Sequence, residues 1–471
     1  MDARLPRHDA AVPQWGCHTI RPSLAASVPV GEDAPYDRAM SAPSADARGS
    51  AEVGPAVAAL PAPGPDTTAG QVRHRDPARL PYLLSTVGLE CMTAVTAPFF
   101  ARTLRAAPFA LVGVEAAGRA GGAAARFGRN QLADRRPGLR GVLDLAAGVG
   151  LTLATGFFAA SGALWQAGAC RAGSWAARGL GTPALEEGAS AAAGAGRLGR
   201  RLGFERSVGA LGGALGALLT VALLAVTGPR GVIGFALVPV ALAVVVSVVT
   251  VVRGRNDAPP AVQVPAQVRI TALRGRPLGT LLVGVACYEA SNIAVVLLLL
   301  RASKVVSSSG SLAAAQRVAL CYGIYQLSAA ACAAWVGRVV DRAGTGLVLA
   351  AGGVSLLAAY LGLAYATANA DVTVAVCFLL AGAAAGAVDT AEYTGVARLA
   401  GPDSRRAAFG VLAGIQSGGR VLATVTAGGL WTLVGPKAGL LVCGPLLLVA
   451  TAIFLLRVDR PHRNAQAGPI G

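Results

Sequence analysis

Three acids lie deep inside otherwise apolar stretches of this chain. They are Glu90 in "PYLLSTVGLECMTAVTAPFF", Glu115 in "PFALVGVEAAG" and Glu289 in "LVGVACYEASNIAVVLLLL". Two arginines, Arg171 and Arg420, are embedded in the same way, and Asn292 adds a polar group close to Glu289. Charges held out of water are costly, and they either pair to fix packing or bind protons and charged solutes. Desolvation favours the protonated carboxyl and a neighbouring guanidinium favours the ionised one, and that balance is what proton exchange requires. Pairing Glu90 with Arg171 and Glu289 with Arg420 across helices satisfies four of these charges. Glu115 and Arg119 stand four residues apart, close enough on one helix to satisfy each other. All six embedded polar residues are candidates for substrate binding or proton coupling.

A second constellation recurs. In "AWVGRVVDRAGTG" an apolar run ends in Gly337, Asp341 and Arg342. In "NQLADRRPG" Asp134 and Arg135 hold the matching places. Such a pairing of acid and arginine at a segment end suits a latch, because a helix N-terminus elsewhere offers a partial positive charge to the acid.

The elements that carry these residues are membrane helices. Only 14% of the 471 residues are charged, against about 25% in soluble domains. About 20 residues of helix cross the hydrocarbon, and Gly231–Val252, Ala343–Ala370 and Ala438–Leu456 are uncharged throughout. The net charge of +17 comes almost wholly from arginine, clustered between apolar runs. That pattern sets topology and excludes nucleic acid as the partner. All four histidines (His8, His18, His74 and His462) lie in the tails, and the eight cysteines show no ligand spacing. The expectation is therefore no metal and no cofactor, and no nucleophile–base pair points to an enzyme.

The apolar runs predict an all-α integral membrane protein of twelve helices in two pseudo-symmetric six-helix bundles. Spans are expected near 80–103, 107–128, 139–155, 157–178, 207–227, 231–252, 278–301, 316–338, 346–367, 372–394, 407–433 and 438–456. Residues 1–79 form a disordered tail on this reading. Residues 80–252 form the first bundle, 253–277 a central loop, 278–456 the second bundle and 457–471 a second tail. The arginine-rich linkers follow the even-numbered spans, which puts both termini in the cytoplasm and the protein in the plasma membrane.

The chain repeats itself. "GRRLGFERSVGALGGALG" at 199–216 aligns with "SRRAAFGVLAGIQSGGRV" at 404–421, so Arg201 meets Arg406, and at the same offset Glu187 meets Glu392. Two such halves, with the pattern G-x-L-x-D-R-x-G after the second and eighth spans, resemble the major facilitator superfamily. The second copy is nearly complete in Gly337, Asp341, Arg342 and Gly344, whereas Asn130 replaces the first glycine of the other copy and Pro137 displaces its last. "RGLGTPALEEGAS" at 178–190 also resembles the R-G-I-R-T-P-P-R-D-A-L loop of one bacterial branch, through Arg178, Gly179, Thr182 and Pro183.

The resemblance implies alternating access. Asp341 would latch onto the fifth span near Arg200 and Arg201, and Asp134 onto the eleventh near Arg405 and Arg406. Arg178, Glu187 and Glu392 complete the expected gating set, while Gly337 allows close approach. The function this implies is proton-coupled export of a small solute, drug-like or metabolite, by a monomer in the lipid bilayer. Uptake of a small anion on Arg171 and Arg420, and a non-transporting sensor or scaffold, are the rivals. Because residues 1–79 offer no apolar face, a chain started at Met40 is expected to insert and stay monodisperse in detergent. Aggregation on deleting residues 2–70 would show that the tail packs on the bundle.

Overall fold

The computed structural model describes residues 79–181, 198–253, 276–306, 311–400 and 404–458. The N-terminal tail up to residue 78, most of the central loop and the C-terminal tail lie outside the described residues, as does Glu187. Every regular element among the described residues is a helix. The spans are Arg79–Pro98 with a wider turn at Phe99–Thr103, Pro108–Arg135, Arg140–Ala160, Leu164–Gly181, Leu198–Leu224 and Pro229–Val252. In the second half, the seventh is split into Arg276–Glu289 and Val295–Val305. Ser311–Ala343, Thr345–Tyr365, Asp371–Leu399 and Arg405–Leu433 follow. The twelfth runs as Pro436–Leu441 and Gly444–Ile453 into Phe454–Val458. The result is a multi-pass membrane protein of twelve spans in two six-helix bundles.

Nine of these spans are long and apolar enough to cross a membrane by composition. The second and fourth fall short because they carry Glu115, Arg119, Arg126, Arg171 and Arg178, and the seventh because it is broken. These exceptions mark the interior of the assembly. The halves meet where the fifth span packs on the eighth and the second on the eleventh. The repeat exchanges these two contacts, so the internal symmetry read in the sequence is also the symmetry of the interface.

Small residues make the main crossing possible. A methyl group on Gly337 of the eighth span would stand 2.5 Å from the Gly199 carbonyl oxygen, and one on Gly203 would run into the Ala333 carbonyl. Further along the fifth span, Gly212 and Gly216 face the first span, and a methyl on Gly216 would lie 2.5 Å from the Val87 carbonyl. Without such gaps two membrane helices cannot bring their backbones together. Between the eighth and ninth spans the chain turns on Gly344, whose φ of 91° suits a residue without Cβ.

The fifth span begins at Leu198, well before the expected residue 207. The charged stretch "GRRLGFER" reads as a linker, yet its charges are met as helix. Glu205 pairs with Arg79 of the first span at 2.7 Å, and the first-turn amides have an external acceptor described below.

Replacing Gly203 by valine is expected to abolish the folded monodisperse protein, because backbone oxygen cannot yield to a side chain. Gly410→Ala, where a Cβ meets nothing within 4 Å, is expected to leave thermal stability at or slightly above the parent. Size-exclusion after heating measures both. A Gly203→Val chain that behaves like the parent would contradict the packing account.

Candidate functional site: a charged cavity between the halves

Glycines again set the register of the second and fourth spans. A Cβ on Gly118 would lie 2.6 Å from the Trp175 ring, and Gly179 sits hard against the Gly122 carbonyl. This register brings Arg171 to Glu115, with Nε donating to Oε1 at 2.6 Å and each side chain 1% exposed. Arg171 also donates to the Thr93 hydroxyl at 3.3 Å, and Trp175 Nε1 donates to Glu115 Oε2 at 3.2 Å. Three guanidinium groups surround the Trp175 ring, those of Arg119, Arg171 and Arg178, at 5.0, 5.6 and 5.7 Å from its centroid.

Two expected pairings are therefore corrected. Glu115 takes Arg171 rather than Arg119, which lies on Trp175 instead. Glu90 takes Arg178, which donates at 3.2 Å, rather than Arg171. Seven helical residues separate the two arginines by about 10 Å along the axis. Arg171 is level with Thr93 and Glu115, and Arg178 is level with Glu90. Arg178 thus lines this cavity.

Glu90 also reaches across to the other half. Tyr322 of the eighth span donates its hydroxyl to Glu90 Oε2 at 2.5 Å, and Gln326 donates to the Tyr322 oxygen at 2.8 Å. Neither residue was singled out from the sequence. The available signal was three polar residues, Tyr322, Tyr325 and Gln326, on one face of an otherwise apolar run.

In the second half Arg420 forms the expected fork on Glu289. Nε and Nη2 each donate at 2.7 Å, and Nη2 also reaches Asp389 at 2.8 Å. Asp389 is therefore a paired acid of the tenth span. Glu289 closes the first segment of the seventh span, and Asn292 donates to it at 3.0 Å. The break would strand backbone amides in an apolar setting. Ile293 N–H donates to the Tyr360 hydroxyl at 3.0 Å and Ala294 N–H to Thr424 Oγ1 at 3.2 Å.

Glu392 lies nearby, in the interior of the second half. It is fully buried, accepting from Gln416 Nε2 at 2.7 Å, while its second oxygen has no partner among the described residues. Carboxylate oxygens of Glu289, Asp389 and Glu392 lie within 4.8 Å of one another. They are the one group among the described residues with metal-ligand spacing, but Arg420 already occupies two of the three.

The expected latch has a definite geometry at Asp341. Its two oxygens accept the amides of Gly199 and Arg200, each at 3.2 Å, and Arg398 donates to it from the tenth span. The acid thus caps the open first turn of a helix in the other half. The backbone, and not the arginine side chains, is what it holds on the fifth span. Arg342 and Arg135 are exposed. The side chains of Asp134 and Arg406 lie outside the described set.

Glu90, Glu115, Arg171, Arg178, Tyr322 and Arg420 line a cavity of about 300 Å³ between the halves. It is walled by the first, second, fourth and fifth spans and by their repeats, the seventh, eighth, tenth and eleventh. At the end away from the arginine-rich linkers, Val112 of the second span presses on Gly428 of the eleventh.

Arg171→Met would leave Glu115 charged and buried. It is expected to lower stability by about 3–5 kcal/mol, and adding Glu115→Gln to recover most of that loss. Thermal denaturation of the single and double variants in detergent tests this. Equal losses in both would show that the pair is not the source of the stability.

The sequence profile of the Major Facilitator Superfamily matches residues 291–470. No curated protein matches the chain by sequence. A POT family transporter in complex with 5-aminolevulinic acid has a similar structure, with TM-score 0.62 and 12% identity, over 82% of this chain and 96% of that one. The proton:xylose symporter XylE, bound to 6-bromo-6-deoxy-D-glucose, gives TM-score 0.58 at 14% identity, over 81% and 95%. The human organic anion transporter MFSD10 gives 0.54 at 15%, over 80% and 98%. At these identities the likeness is one of fold. The branch-specific loop falls mostly outside the described residues and adds nothing to it. The family profile thus covers most of the second half of the chain, and the helices of both halves are arranged as in these transporters.

Proposed function

We propose that this protein is a secondary transporter, and not an enzyme, that moves a small solute across the plasma membrane by alternating access coupled to protons. The observation that carries the reading is the hydrogen bond from Tyr322 to Glu90, at 2.5 Å, across the cavity. An ionised Glu90 accepts this bond strongly, and a protonated one accepts it weakly. Protonation therefore loosens a contact between the halves at the same place where a solute would sit. Arg206 stacking on Tyr393, 4.4 Å from its centroid, and Asp341 on the fifth span are further cross-half contacts that must break in a switch. Export is the direction proposed from the resemblance, with both termini cytoplasmic and a monomer as the working unit. The cavity lies at the lower end of the roughly 300–1,000 Å³ usual for small-molecule sites, which favours metabolite-sized cargo.

Proteoliposomes loaded with a pH-sensitive dye test this against a panel of sugars, nucleosides, amino acids, carboxylates and amines. At least one solute is expected to drive proton movement in the parent chain. Glu90→Gln is expected to abolish that movement while retaining solute exchange. Tyr322→Phe is expected to cut proton-driven accumulation several-fold without unfolding the chain. Solute-dependent proton movement undiminished in Glu90→Gln would overturn the assignment of Glu90. Failure of every solute to exchange in the parent would leave the sensor or scaffold reading in its place.

A further inference from the structure

We propose that the solute is a small organic anion whose acid group is gripped by Arg119 and Arg171 beside Trp175, and whose planar or apolar body lies against Tyr322 and Tyr325. The inference rests on the transport reading for its biological meaning, but its evidence is a binding site. Six guanidinium groups line the cavity, against the carboxylates of Glu90 and Glu115. Three of the six are held by acids. Glu90 holds Arg178, Glu115 holds Arg171, and Arg420 is engaged by Glu289 and Asp389 from behind the wall.

Arg119 is different. It makes no ion pair with any described residue, and its Nε is buried without a hydrogen-bond partner. Arg171 likewise keeps Nη1 buried and unpartnered, although its Nε and Nη2 are engaged. Both guanidiniums lie around the same indole. Open donors on two neighbouring guanidiniums in a membrane interior are costly, and an oxyanion supplies the missing acceptors. Arginine presents its N–H groups as a planar fork that suits carboxylate or phosphate.

The facing wall comes from the second half. Tyr322 and Tyr325 stack with ring centroids 5.9 Å apart and planes within 16°, offering a flat surface to a planar or apolar group. An anion so placed touches both halves, as a solute must if its binding is to bias their arrangement. The ligand set differs from that expected from the sequence, because Arg420 is matched by two acids while Arg119, not considered a ligand there, forms no salt bridge with any described residue.

The test uses the full chain in lipid nanodiscs. Benzoate, phthalate and phenyl phosphate are titrated beside benzamide and benzylamine, with affinity read by calorimetry and by ligand-induced shifts in melting temperature. At least one acid is expected to bind, and the neutral and cationic analogues at least tenfold more weakly. Arg119→Gln is expected to reduce acid affinity at least tenfold with the ligand-free melting temperature near that of the parent, and Arg119→Lys to restore part of it. Binding of the amide or amine as tightly as the acids, failure of every acid to bind, or unchanged acid affinity in Arg119→Gln would overturn the proposal. Counterflow is scored separately. Acids that bind without counterflow would retire transport and leave the anion site, whereas counterflow of a sugar or amine with no response to acids would do the reverse.

Discussion

Hydrocarbon offers no hydrogen bonds, so every charge and every open backbone group inside this bundle must be met by another part of the protein. That constraint organises the interior. Glu115 and Arg171 are sealed together. Glu289 holds Arg420 in a fork. The broken seventh span has its amides met by Tyr360 and Thr424. Against this background the few groups left open carry the most information. Two of them, on Arg119 and Arg171, lie together on the wall of one cavity.

The second constraint is steric. Gly199, Gly203 and Gly337 bring the fifth and eighth spans into backbone contact, which puts the first-turn amides of one half within reach of Asp341 in the other. The same crossing sets Tyr322 opposite Glu90. Close packing thus places two polar contacts, one at mid-depth and one at the arginine-rich end, on a single interface. Polar contacts of this kind can be exchanged for water or solute, while the apolar packing inside each half stays intact. A pair of rigid halves joined by such contacts is suited to switching between two discrete arrangements.

The sequence made the spans legible because length and hydropathy decide them almost alone. The Glu289–Arg420 pair was legible for a related reason, since opposite charges at one depth leave few alternatives. The partner of Glu90 was not. Whether Arg171 or Arg178 comes level with it depends on the axial register of the second and fourth spans, and Gly118, Gly122 and Gly179 set that register only once both helices are in place. Glu392 misled for a different reason. Its match to Glu187 in the repeat implied a shared gating role, but its depth in the tenth span buries it beside Gln416. Tyr322 and Trp175 were passed over because aromatic residues in apolar helices usually serve packing, and their polar atoms show a role only when a carboxylate stands opposite.

The central claim is that two halves switch about this cavity, shut at the arginine-rich end by Asp341 on the amides of Gly199 and Arg200. Hydrogen exchange of the membrane-embedded chain, resolved by mass spectrometry, reads those amides directly. With Asp341→Ala, exchange in residues 198–206 is predicted to quicken at least tenfold, while peptides around Val112 and Gly428 at the far end slow down. Unchanged exchange at both ends, or equal loosening of both, would contradict the account.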